Sequence, residues 1–429
     1  MFFQNRGFLN SALDLNLEIP LHGKHSGATQ PDKNDNRHLV PMTVNSSSPF
    51  FHKKPSKTPR LVWILMILLV PGIAYFMVSK GISQFFQVKP DDFSAKPTAS
   101  LKDIGDGWWE AEDFIYHGIP TRIVFQMPPE TEQTPEQINA AAWQEFDRIG
   151  KIFNPFDPAS EVSHLNSLIP RQTIPVSKDI YAVIRLSRAL WNQTSGNFDP
   201  TLWSLKQLWQ TAEKTQRIPD DTDISAALEW IGLDHVRMIE RPERALAFGD
   251  HPVQFDFGGI VKGYAVDQVR EILLNAGIRA GLVQLGGEVS AFGSNNGNPW
   301  RIGIQHPKEM DKVWGVIASD ADIRVSTSGN YRQPIRINGK SFYHIFSPKT
   351  GWPVSEKVLG VTTVDLKGTT ESARLDGIAT AITVMGPENG FALAVKLGID
   401  AVILYEKNDG GIGEYVTRGL SGVYEKKPR

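Results

Sequence analysis

The chain has no cysteine. Disulfides, thiolate metal sites and cysteine nucleophiles are excluded together, and neither redox compartment is ruled out. An excess of one charge is also missing. Lys and Arg number 45 and Asp and Glu 47, for a net charge of −2. No electrostatic footprint for nucleic acid follows, so none is expected as a partner. No short-period repeat and no interdomain break is visible from about Asp106 onward. One stretch lacks charge altogether: LVWILMILLVPGIAYFMV, Leu61–Val78, 18 residues between Arg60 and Lys80.

That stretch spans about 27 Å as a helix, close to the hydrocarbon thickness of a bilayer. It has no polar face, which argues against a buried core helix. A transmembrane helix is expected over 61–79, and a cleaved signal peptide is the rival reading. Lys53, Lys54, Lys57 and Arg60 precede it, and Lys80, Lys89 and Lys96 follow. This bias favours a cytoplasmic N-terminus. The expected protein is single-pass in the cytoplasmic (inner) membrane, with its folded part periplasmic or otherwise extracytoplasmic. Residues 1–60 are polar and Pro-rich and read as disordered. Residues 80–105 read as a linker, and 106–429 as the folded part. The whole chain is 41% hydrophobic, as a globular protein requires.

Within the folded part, TRIVFQM reads as a strand. PEQINAAAWQEFDRIGKIF reads as a helix with Ile138, Ala142, Phe146 and Ile149 on one stripe. SKDIYAVIRLSRALWNQT is a second helix capped by Ser177. VQFDFGG reads as a strand leading into the helix GYAVDQVREILLNAG, with Gly277 at its end. AGLVQLGG, WRIGIQHP, VWGVIA and DIRVSTSG read as strands, and YHIFSPKTGWPV as a loop. SARLDGIATAITVMG and PENGFALAVKLG are helices, and IDAVILYE a last strand. Strands and helices mix without strict alternation, which argues α+β and against a doubly wound nucleotide fold.

DFGGIVKGYAVD, Asp256–Asp267, has the residue types of a phosphate loop but not the spacing. Lys262 precedes Gly263, and Tyr264 stands where a P-loop needs Ser or Thr. Gly258-Gly259 and Gly263 miss the dinucleotide fingerprint. Glycines that admit a ligand to the backbone, a helix start and Lys262 still suit an anion. A plain strand-to-helix turn fits equally. TSGNFDPT, LVQLGGEVSAFG, STSGNYR and YHIFSPKTG put Asp199, Glu288, hydroxyls and His344 on glycine-bearing turns, where sites are commonly built. Asp376 and Thr380 lie four residues apart in an apolar helix and share a face. Two readings stand: hard oxygen ligands for Mg²⁺, or an acid that caps or bridges to an arginine such as Arg374.

These motifs, in this order, resemble the ApbE family of FAD:protein FMN transferases over about residues 108–415. FNPFDPASEVSHLN, SGNFDPT, DFGGIVKGYAVD, LGGEV, TSGNY, HIFSPKTGWPV and LDGIATAITVMG carry the resemblance. It implies a single mixed α/β catalytic domain behind the transmembrane helix. It also implies transfer of FMN from FAD to a Thr or Ser hydroxyl of a target protein, with Mg²⁺ and release of AMP. By the resemblance, Asp376, Thr380 and the Val261 carbonyl hold the metal, and His344 is the base. Lys262 faces the phosphates. Phe156 and the turn of Asn197, Phe198 and Asp199 contact the flavin, with Asp267 a further candidate. The implied acceptor is a redox protein.

Departures from the pattern are the missing Met-Gly-Thr before TRIVF, Asn197 for a glycine, Ser347 for an acid, Gly377 for an alanine and no lipid-bearing cysteine. The alternatives are an FAD pyrophosphatase giving FMN and AMP, and a non-catalytic flavin-binding assembly factor.

Overall fold

The computed structural model describes residues 100–427 apart from 117, 252, 310, 330–333 and 355–356. The segments 1–60 and 61–79 and most of the linker lie outside the described residues. Among the described residues no helix is long and apolar enough to cross a membrane.

The folded body is organised by a nine-stranded sheet. Strands β1 (Lys102–Gly105), β2 (Trp108–Ile115) and β3 (Ile119–Gln126) follow one another, and β3 pairs with β7 (Gly281–Leu285). The order continues through β8 (Glu288–Phe292), β11 (Ile323–Gly329), β14 (Val358–Asp365), β15 (Asp400–Glu406) and β16 (Ile412–Val416). Every neighbouring pair is antiparallel. Two boundaries differ from the sequence reading. The sheet already begins at Lys102, inside the expected linker, because β1 pairs with β2. IDAVILYE is not the last strand, since β16 and β17 (Tyr424–Lys426) follow it.

Side-chain alternation sends the sheet's two faces into two cores. Ile123, Phe125, Val283 and Leu285 join a core shared with helices. Val124 and Leu282 join a second core with Trp300, Ile302 and Ile317 of β9 (Trp300–Gln305) and β10 (Val313–Ser319). The three-stranded sheet β17–β10–β9 supplies that side, while β4 (Thr173–Pro175), β6 (Ala245–Phe248) and β5 (Val236–Ile239) form a small sheet and β12 (Ile335–Ile337) and β13 (Lys340–Phe342) a hairpin.

On the helical side, α1 (Pro135–Phe153) starts where Thr134 and Gln137 form a capping box with Pro135 in the first turn. Its expected stripe is at most 1% exposed. Then come α2 (Glu161–Asn166), α3 (Lys178–Gln193), capped by Ser177 as expected, α4 (Trp203–Thr215) and α5 (Asp221–Leu228). The central pair is α6 (Val261–Asn275) and α7 (Ser372–Met385), with α8 (Pro387–Leu397) behind. At the α6–α7 crossing a Cβ on Gly263 would lie 2.4 Å from the Ser372 carbonyl oxygen. Only glycine permits so close an approach of the two backbones.

VQFDFGG is not a sheet strand. It makes one isolated bridge, Gln254 to Leu202. The Asn166 side chain instead brackets Phe255, donating to its carbonyl (2.9 Å) and accepting from its N–H (2.6 Å), and Asp256 N–H donates to the Pro200 carbonyl. With its backbone groups satisfied this way, the segment runs extended without a ladder.

Candidate active site

A cavity of about 830 Å³ opens between the α6–α7 pair, the β2–β3 hairpin and the loop 343–354. Its wall includes Phe156, Asn197, Phe198, Asp199, Val261, Lys262, His344 and Thr380. Eight of the ten sequence-predicted site residues therefore meet at one place. Asp376 and Asp267 do not border it.

Both acids cap helices. The first residues flanking α6 and α7, Ile260 and Glu371, offer no capping side chain. Asp376 of α7 instead accepts the Gly263 N–H of α6 at 3.2 Å. Asp267 of α6 accepts the Ser372 and Ala373 N–H groups of α7, each at 3.0 Å. Each helix thus caps the other, with a carboxylate set against the positive end of the partner's dipole. Arg324 stands 3.4 Å from Asp267. Burial nonetheless pushes the Asp267 carboxyl above its ordinary value, against those hydrogen bonds. Asp267 is therefore a structural acid in this structure, held away from the cavity by its two backbone bonds. Asp376 fulfils half of the capping alternative: it caps a helix, but its cation is Lys262 and not Arg374.

The polar end is a charge cluster. The Lys262 amine donates to the Gly258 carbonyl at 3.0 Å and to Asp376 at 3.1 and 3.3 Å, and lies 3.4 Å from Glu288 Oε1. Asp376 is 1% and Glu288 0% exposed. Burial works to lower the Lys262 amine, yet the two carboxylates hold it above its ordinary value. Burial pushes the Glu288 carboxyl up to about 8, against the pull of Lys262. Two buried acids share one lysine, and the Asp376 charge adds to the upward push on Glu288, so a cation beside Asp376 would favour the ionised Glu288.

Oxygen donors gather beside the cluster. Thr380 Oγ1 lies 3.4 Å from Ser328 Oγ and 3.5 Å from the Gly259 carbonyl. A Cβ on Gly259 would come within 3.0 Å of the Thr380 hydroxyl, so glycine keeps that face of Thr380 accessible. Val261 borders the same wall from the first turn of α6. Among the described residues no group of three His, Cys, Asp or Glu side chains could hold a metal. A cation here would rest on one carboxylate with hydroxyl and carbonyl oxygens. That hard, all-oxygen set fits Mg²⁺ and not zinc.

The other end is aromatic. Phe156 meets Trp203 edge-on at 5.0 Å. Phe198 and Asp199 sit on the turn after α3, and Asn197 Nδ2 ties that turn to the Thr194 carbonyl. Asp199 accepts from Trp191 Nε1 and from the Thr201 N–H and hydroxyl, so both its oxygens brace the turn. Burial pushes its carboxyl up. His344 is carried by a loop closed by Ser347: Ser347 N–H donates to the Trp352 carbonyl and the Ser347 hydroxyl accepts from Thr350 N–H. The Trp209 indole pins this loop through the Gly351 carbonyl at 2.9 Å.

Several wall residues escaped sequence reasoning. Lys206 of α4 pairs with Asp256 at 2.8 Å, and both border the cavity. Burial raises and Lys206 lowers the Asp256 carboxyl, for a net shift below its ordinary value. Thr327 and Ser328, by contrast, are hydroxyls of the STSGNYR stretch that the sequence already singles out; 330–332 of it lie outside the described residues. Arg122, Glu112 and Gln284 come from sheet strands, where nothing but alternation marks the wall-facing side.

Known proteins resemble this chain over most of the folded part. The model of the ApbE family matches residues 118–403. A FAD:protein FMN transferase of Vibrio cholerae is 32% identical over 271 residues, 62% of this chain and 78% of that relative. One from Klebsiella pneumoniae is 28% identical over 283 residues, 65% of this chain and 80% of the relative. The solved ApbE protein of Thermotoga maritima superposes with a TM-score of 0.65 at 28% identity, covering 75% of this chain and 100% of that one.

Proposed function

The chain belongs to the ApbE family, and from that premise we propose that it transfers FMN from FAD to a Thr or Ser hydroxyl of an acceptor protein, with Mg²⁺ present. The observation that carries the reading is one cavity with an aromatic end and a lysine–carboxylate end. A flavin fits the first and a pyrophosphate the second. Relatives named FAD:protein FMN transferase support it.

In this reading the acceptor hydroxyl oxygen attacks the FMN-side phosphorus. The bond from that phosphorus to the bridging oxygen breaks, and AMP leaves with the bridging oxygen. His344 takes the hydroxyl proton, a role its near-neutral ordinary pKa suits. Lys262 and the backbone from Gly258 to Val261 face the pyrophosphate. Phe156 and the Asn197–Asp199 turn hold the isoalloxazine end. Asp376, Thr380 and the Val261 carbonyl would hold Mg²⁺, which when bound neutralises charge on the pyrophosphate oxygens. Residues 61–79 would anchor the chain in the cytoplasmic membrane with the catalytic domain outside. The acceptor is then an extracytoplasmic domain of a redox protein. The uncharged run and the basic residues before it support that placement.

The test is incubation of the full-length chain with FAD, Mg²⁺ and a candidate acceptor domain. A mass increase on the acceptor equal to FMN, together with AMP, is expected. AMP and free FMN with an unmodified acceptor would replace transfer by hydrolysis. Tight FAD binding without turnover would make the chain a binding module.

A further inference from the structure

An ammonium group has three N–H donors. The Lys262 amine has three sets of acceptors inside the protein: the Gly258 carbonyl, Asp376 and Glu288. The amine hydrogen-bonds Gly258 and Asp376 and has Glu288 3.4 Å away as an ion-pair partner, so its partners lie inside the protein although Lys262 borders the cavity. To reach a phosphate, the amine must release one partner. The Gly258 carbonyl is fixed in the backbone. Glu288 is fully buried, and among the described residues Lys262 is its one ion-pair partner. Otherwise its Oε1 has the Ser326 hydroxyl at 3.4 Å, and its Oε2 has no hydrogen-bond partner among the described residues. Asp376 differs, because the Gly263 N–H also serves it. Released from Lys262, Glu288 would keep only the Ser326 hydroxyl at 3.4 Å, whereas Asp376 would keep the Gly263 N–H at 3.2 Å.

We propose that Glu288 is a positioning residue that keeps Lys262 anchored beside the cavity when Asp376 turns to a cation, leaving one N–H of the amine for a substrate phosphate. Glu288 does not border the cavity itself. Gly286 and Gly287, at the tip of the same β7–β8 hairpin, do. The hairpin therefore delivers backbone to the ligand and a carboxylate to the lysine behind it. The inference rests on the reading of FAD as substrate. It adds that recognition of the phosphate portion passes through an acid the ligand never touches.

The test compares binding of FAD and of riboflavin, which has no phosphate, by flavin fluorescence on the full-length chain with Mg²⁺ and without acceptor. Glu288→Gln is expected to weaken FAD about tenfold, the scale of one charge-assisted hydrogen bond, and to leave riboflavin unchanged. In a Lys262→Met background, adding Glu288→Gln should not weaken FAD further. It should also raise the melting temperature of Lys262→Met by about 2–4 °C, by removing a buried acid left without its partner. Equal losses for FAD and riboflavin in Glu288→Gln overturn the proposal, as does an undiminished effect on FAD in the Lys262→Met background. If Glu288→Gln alone does not fold, recovery of folding in the double variant supports the pairing, and failure to recover counts against it. Equal affinity of the unaltered chain for FAD and riboflavin overturns the substrate reading, and this inference with it, before any variant is made.

Discussion

The two ends of the cavity are built by different means. At the polar end, two helix starts, two buried acids and one lysine hold each other, and no residue there is satisfied without another. At the aromatic end, Phe156, Phe198 and the loop carrying His344 are each braced from behind by local turns and by Trp191, Trp203 and Trp209. The first end is electrostatic and cooperative. The second is a set of separately supported parts. Changes to Asp376 or Lys262 should therefore cost stability and chemistry together, while changes at the aromatic end, or at Asp267 behind the polar end, should separate them.

The largest expected effect is that of Asp376→Ala. It removes a cap and a buried ion-pair partner at once, a loss of about 3–5 kcal/mol in stability for such pairs. Turnover should vanish and Mg²⁺ dependence weaken, as read by acceptor mass and thermal unfolding. Near-normal activity would sink the metal assignment. His344→Ala comes next, with transfer slowed about 10²–10⁴-fold, an unchanged melting temperature and FAD affinity largely intact. A loss of FAD binding would make His344 a ligand contact and erase the contrast between the two ends. Asp267→Asn should cost about 1–2 kcal/mol as a lost cap and leave the affinity for FAD unchanged in equilibrium binding. A selective loss of FAD binding would return Asp267 to the flavin contacts.

The smallest effect is a slope with pH. The Glu288 carboxyl stands at about 8 in the fold against an ordinary 4.5. With no cation at Asp376, the folded state between those values holds a proton that the unfolded chain has released. Stability from this group is full below pH 4.5 and declines as pH rises toward 8. Glu288→Gln should flatten that part of the profile in denaturant titrations. An unchanged slope would mean that Lys262 keeps Glu288 ionised throughout.

Much of this was legible in the sequence, for identifiable reasons. The α1 stripe and the Ser177 cap are local patterns, and local patterns survive folding. The motif order placed eight wall residues. What failed was partner choice. A carboxylate reads the same whether it caps a distant helix or meets a ligand, so Asp267 was grouped with the flavin contacts. VQFDFGG has the composition of a strand, and the Asn166 side chain with the backbone of Pro200 and Trp203, all distant in sequence, takes the place of a ladder. Lys206 looks like the solvent face of an amphipathic helix until Asp256 is brought to it.

The sheet order has a consequence for how the cavity comes into being. β3 pairs directly with β7, so the chain between Gln126 and Gly281 makes a long excursion and returns. That excursion carries Phe156, the Asn197–Asp199 turn and Lys262. Thr380 and His344 arrive later still, from beyond β11. The opposing walls are therefore far apart in sequence, and contacts of such separation carry a loop-closure cost that slows folding. A chain emerging during synthesis can form the β2–β3 hairpin and α1 early, yet it has no place for a flavin until α7 has followed.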